Sequence, residues 1–89
     1  MNKHEKIIFE LKILARAGQK RVNLPQFFQL ARKHGIVRGQ LIKEHLLTCI
    51  AQDFIREDSK PRLYVLNHEM LGVKPRTNGL DVEDGDKKA

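Results

Sequence analysis

The chain contains one cysteine, Cys49, and no tryptophan. A single thiol excludes an internal disulfide, and cysteine usage this sparse gives no sign of an oxidising compartment. No apolar run approaches the roughly 20 residues that cross a bilayer. The opening segment MNKHEKIIFELKILARAG mixes cations with apolar residues as a secretory leader does. Glu10, Lys12 and Arg16 interrupt it, so it has no continuous apolar centre. A cytoplasmic location and no membrane partner are therefore expected. With 89 residues, of which 40% are hydrophobic and 31% charged, the chain suits one ordinary globular domain.

Catalytic apparatus is also missing. The glycines at 18, 35, 39 and 72 are isolated, so no Gly-rich phosphate loop exists. Cys49 sits among apolar residues in a helical pattern, where a thiolate is disfavoured, and no nucleophile–base arrangement is legible. His45 and Cys49 stand four apart, on one helical face, but His4, His34 and His68 are scattered. A metal site would lack ligands, and a packed cysteine beside a partly exposed histidine is the expectation. No enzyme, metal or cofactor is expected.

The most informative absence is acid. No Asp or Glu occurs between Glu10 and Glu44, while the interval holds Lys12, Arg16, Lys20, Arg21, Arg32, Lys33, Arg38 and Lys43. Residues 1–76 carry 15 Lys and Arg against 7 Asp and Glu, whereas residues 77–89 carry 2 against 4. A net charge of +6 segregated in this way suits a protein that meets a polyanion.

Apolar spacing predicts a first helix over residues 3–17, with Ile7, Ile8, Leu11, Leu14 and Ala15 on one face and Gly18 as its stop. Phe9 and Ile13 widen that face, which predicts packing against more than one neighbour. Lys20-Arg21-Val22 could form one strand of a small sheet. Asn23 caps a second helix with Pro25 in its first turn, closed by His34-Gly35. A third helix starts between Arg38 and Gln40 and runs to about Gln52, with Gly39 as its candidate cap. Its buried stripe is Ile42, Leu46, Cys49 and Ile50. Phe54-Ile55-Arg56 and Leu63-Tyr64-Val65-Leu66 are β-prone runs joined by a polar turn through Pro61. Asn67 caps one further turn through Leu71. From Pro75 the sequence reads as a flexible, partly acidic tail, giving a domain over 1–74 and a tail over 75–89.

In LLTCIAQDFIREDSKPRLYVLN, a third helix runs directly into a strand, a polar tip and a second strand. With two helices before it, this order resembles the winged helix-turn-helix DNA-binding superfamily, in the manner of bacterial or mobile-element regulators. The fold class expected is mainly α with a small β-hairpin: a three-helix winged helix-turn-helix domain. The resemblance covers roughly residues 3–71. It departs at Asp53, where such proteins often place a glycine between helix and wing, because the junction needs a left-handed backbone.

The resemblance implies double-stranded DNA as partner and a small transcriptional regulator as function. The third helix would then lie in the major groove, offering Arg38, Gln40, Lys43 and Glu44 to bases. Lys20, Arg21, Arg32 and Lys33 would contact phosphate, and Lys60 and Arg62 would be wing contacts. A homodimer is attractive because one module this small makes few specific contacts, although the sequence shows no obvious dimerisation helix. Leu41 and Leu47 lie toward the outer side of the third helix. They support a rival reading, a winged-helix module docking on a protein or ribonucleoprotein partner. Single-stranded nucleic acid is disfavoured, since Phe9, Phe27, Phe28 and Phe54 fall where a core needs them and only Tyr64 is available to stack.

Overall fold

The computed structural model describes residues 1–73. The predicted tail over 75–89 lies outside the described residues, as does the last residue of the predicted domain. The elements are α1 (Lys3–Arg16), β1 (Arg21–Asn23), α2 (Leu24–Lys33), α3 (Gly39–Ala51), β2 (Ile55–Glu57) and β3 (Leu63–Leu66). The three strands form one antiparallel sheet in the order β1-β3-β2. This is a winged-helix-like α/β fold.

Local chemistry sets the boundaries. α1 opens with a reciprocal cap: Asn2 Oδ1 accepts from the Glu5 amide at 2.8 Å, and Glu5 Oε1 accepts from the Asn2 amide at 2.9 Å. The helix stops at Gly18, whose φ of +93° a side chain would resist. Asn23 both ends β1 and caps α2, its Oδ1 accepting from the Gln26 amide at 2.8 Å, so strand passes into helix without a loop. α3 begins one residue earlier than its candidate cap implies. Arg38 is the N-cap, extended and without a side-chain hydrogen bond, and Gly39 is the first helical residue.

β3 is the central strand. Val22 pairs with Tyr64 on one side, and Ile55 pairs with Leu66 on the other. β2 spans 55–57, displaced by one residue from the predicted run, because Phe54 belongs to the tight turn leaving α3. Asp53 in that turn has φ +66°, the left-handed backbone expected there. Two interactions hold it: its carbonyl accepts from Asn67 Nδ2 at 2.8 Å, and its carboxylate takes Arg56 Nε at 2.9 Å and Nη2 at 3.1 Å. The Arg56 guanidinium also keeps the Asp53 carboxyl below its usual range. The turn after β3 is closed by backbone bonds from the Leu71 amide to the Asn67 carbonyl at 3.0 Å, from Gly72 to Glu69 at 3.1 Å and from Val73 to His68 at 2.9 Å, and the Met70 amide donates to Asn67 Oδ1 at 3.3 Å.

Ile7, Leu11, Val22, Phe27, Ile42, Cys49, Ile55 and Leu71 form the centre of the core. Every element except β3 thus contributes a fully enclosed side chain, and β3 adds the buried Leu66. Burial pushes the Cys49 thiol up to about 12, so it is protonated and acts as packing. α1 departs from expectation. Phe9 and Ile13 do not meet a second neighbour but stand 46% and 43% exposed, and Phe9 is therefore no core residue.

Candidate nucleic-acid interface

α3 buries Ile42, Leu46 and Cys49 and presents Gln40, Lys43, Glu44, Leu47, Thr48 and Ala51 to solvent. Arg38 is exposed at the start of this face. The four residues assigned to base contact therefore share the N-terminal half of one exposed surface. Leu47 is 63% exposed and Leu41 37%, so the first stands on the outer face and the second at its margin.

Beside that face lies a groove of about 300 Å³, lined by Leu24, Pro25, Phe28, Gln29, Arg32 and Arg62. It brings together Arg32, assigned to phosphate, and Arg62, assigned to the wing. The Arg32 guanidinium carbon lies 5.4 Å from the centre of the Phe28 ring, within cation–π range. The same ring approaches the first residue of α3, where a Cβ on Gly39 would meet Phe28 Cε2 at 3.9 Å. Arginines from α2 and the wing thus share a groove with one aromatic side chain that also approaches the start of α3. The wing is fixed there by its backbone: the Leu24 amide donates to the Arg62 carbonyl at 2.9 Å. Arg62 has φ +60°, a conformation that favours glycine or asparagine, so a long cation is held at a strained position.

The other assigned cations divide in two. Arg21 pairs with Asp58 at 3.3 Å, and Lys33 pairs with Glu10 at 2.9 Å, so each meets an acid within the chain. Lys20, Arg38, Lys43 and Lys60 are exposed and form no ion pair with the described residues. Pairing with Glu10, Asp53 and Asp58 neutralises Lys33, Arg56 and Arg21, while Arg38 and Lys43 on α3, Lys60 on the wing and Arg32 keep exposed positive charge, as do Lys3, Lys6 and Lys20 elsewhere on the domain.

Two polar contacts escaped the sequence reading. Glu10 is 8% exposed and accepts from Lys33 Nζ and from His34 Nε2, the latter at 2.8 Å. The Lys33 hydrogen bond lowers its pKa, His34 assists, and burial opposes them. In the sequence Glu10 registers only as an interruption of an apolar segment. The second contact joins His4 on α1 to His45 on α3, with their Nδ1 atoms 2.8 Å apart. Ring centroids are 5.1 Å apart and the planes are inclined by 22°. With the nitrogens in contact, that separation means the rings meet edge to edge in nearly one plane, sharing a hydrogen bond. His4 Nε2 donates to Gln52 Oε1 at 2.8 Å, so in the neutral pair His45 Nδ1–H donates to His4 Nδ1.

This axis holds one proton well and two poorly. Burial lowers the His45 pKa below its ordinary 6.5, with repulsion from His4 adding to the effect and Glu44 partly offsetting it. A histidine whose folded pKa is depressed stabilises the fold above its unfolded pKa. That stability is lost as pH falls through the folded value. Glu10 is depressed in the same sense below 4.5. Urea unfolding is therefore expected to show stability falling in two stages, first below about pH 6.5 and again below about pH 4.5. In a His45→Leu variant the first stage should shrink. A flat profile from pH 7 to 5 in the parent protein would show that the pair does not link protonation to folding.

Among the described residues no group of three or more His, Cys, Asp or Glu is placed to hold a metal ion, and no helix is long and apolar enough to cross a membrane. No protein family, curated protein or solved structure matches this chain. The fold and surface define it as a winged-helix-like domain with an arginine-lined groove between its second helix and its wing.

Proposed function

We propose that this chain binds double-stranded DNA, with α3 in the major groove and the β2–β3 hairpin against the flanking backbone, as a small transcriptional regulator. One observation carries the reading: Arg38 and Lys43 on α3 and Lys60 on the wing are exposed without an ion pair to the described residues, and Arg32 and Arg62 share a groove at the start of α3. An α-helix fits the major groove, and cations on the flanking elements neutralise phosphates on either side. Gln40 is suited to adenine and Lys43 to guanine, and Leu47 offers an apolar contact for a thymine methyl. Glu44 can accept from a cytosine amino group. Arg32 and Arg62 serve as phosphate clamps.

The test is fluorescence anisotropy of a labelled random duplex titrated with salt. If Lys20, Arg32, Arg38, Lys43, Lys60 and Arg62 all neutralise phosphate, log K should fall against log salt with a slope approaching about −5. Absence of binding at low salt, or a slope near zero, would remove the reading. The alternative is a protein-docking module. It is favoured by the exposure of Leu47 at 63% and of Val37, just before α3, at 69%. Retained binding to a partner protein at high salt would support it.

A further inference from the structure

The outer face of α1 carries an apolar surface that the domain leaves open. Glu5, Ile8, Phe9 and Lys12, together with Met1, line a concavity of about 280 Å³. The first four stand at i, i+3, i+4 and i+7, the spacing of a hole that receives one side chain from a facing helix. Phe9 rises 46% exposed at its centre and Ile13 flanks it at 43%. We propose that this face is a homodimer interface, in which α1 packs antiparallel against α1 of a second copy.

Charge fixes both the occupant and the direction. The hole has an acid at its N-terminal end and a cation at its C-terminal end. A two-fold axis between residues 8 and 9 sets Ile8 against Phe9 of the other copy and Glu5 against its Lys12, twice over. A parallel pair would instead oppose Glu5 to Glu5 and Lys12 to Lys12. The surface is therefore self-complementary under two-fold symmetry, as an isologous interface must be. Each Phe9 is a knob for the hole of the other chain, which removes from water two aromatic rings that the monomer exposes. A helix of 14 residues is about 21 Å long, so the contact is at the small end of stable interfaces.

This interface is independent of the DNA reading, and its test contains no DNA. Sedimentation velocity of the full chain, from micromolar to near-millimolar concentration, should show a reversible shift from monomer to dimer. Phe9→Arg, at an exposed position, should leave the circular dichroism spectrum unchanged and raise the dissociation constant at least about tenfold. Lys12→Glu should weaken the dimer by placing two acids at each end. A parent chain that stays monomeric throughout, or a Phe9→Arg protein that dimerises as the parent does, would overturn the proposal.

Discussion

Replacing Arg38 and Lys43 together by alanine is expected to lower DNA affinity by about 30-fold or more while leaving the fold intact. Each good contact to a base edge contributes about 1–3 kcal/mol, so losing two removes about 2 kcal/mol at the least. Neither side chain supports the structure. Arg38 occupies the N-cap of α3 without capping it, and Lys43 is exposed one turn later. Exposed substitutions of this kind change stability by about 0.5 kcal/mol or less. Anisotropy against a selected site and against a random duplex separates two roles. A base contact is lost only on the selected site, and a phosphate contact weakens both and flattens the salt slope by about one. Unchanged affinity would mean that α3 is not the reading element. The surface around Leu47 would then become the one to pursue.

The second large effect lies in the core. Phe27 is fully enclosed and is the largest side chain so enclosed. Its truncation to alanine should cost about 3–5 kcal/mol, since lost burial and a residual cavity add. A domain this small has only about 5–10 kcal/mol in total, so the midpoint of thermal unfolding should fall by on the order of 20 °C. The adjacent Phe28 is the internal comparison. It is half-buried in the groove under Arg32, so Phe28→Ala should cost much less stability and should weaken DNA binding instead. Equal losses of stability in the two variants would show that Phe28 is a core residue and that the groove has no separate role.

Much of the architecture was legible because local chemistry and global packing agree. Asn23 caps α2, Gly18 and Gly35 adopt the left-handed conformations that end α1 and α2, and Ile42, Leu46 and Cys49 face inward at three-and-four spacing. The left-handed junction at Asp53 was implied by the resemblance to winged helix-turn-helix domains, though not the Asn67 and Arg56 contacts that hold it. The Asn2-x-x-Glu5 cap of α1 was readable in principle, since the pairing is entirely local. Phe9 shows the limit of periodicity. Spacing reports that an apolar residue belongs near an inward stripe, but not whether a neighbour exists to cover it. Here α1 contributes only Ile7, Leu11 and Ala15 as buried apolar residues.

The sequence by itself determined the order of helices and strands, the inward stripe of each helix and the segregation of positive charge. Capping, β-branching and apolar spacing act within a few residues and need no distant partner. Tertiary structure alone decided which cations remain available. Lys33 is drawn to Glu10 and Arg21 to Asp58, whereas Arg32 and Arg62, thirty positions apart, share a groove over Phe28. It also decided that His4 meets His45 across 41 positions and that Phe9 faces solvent. The physical reason is common to all of these. Ion pairing and burial depend on distances set by how helices and sheet pack, and the period of a helix fixes direction around its axis but not what lies opposite.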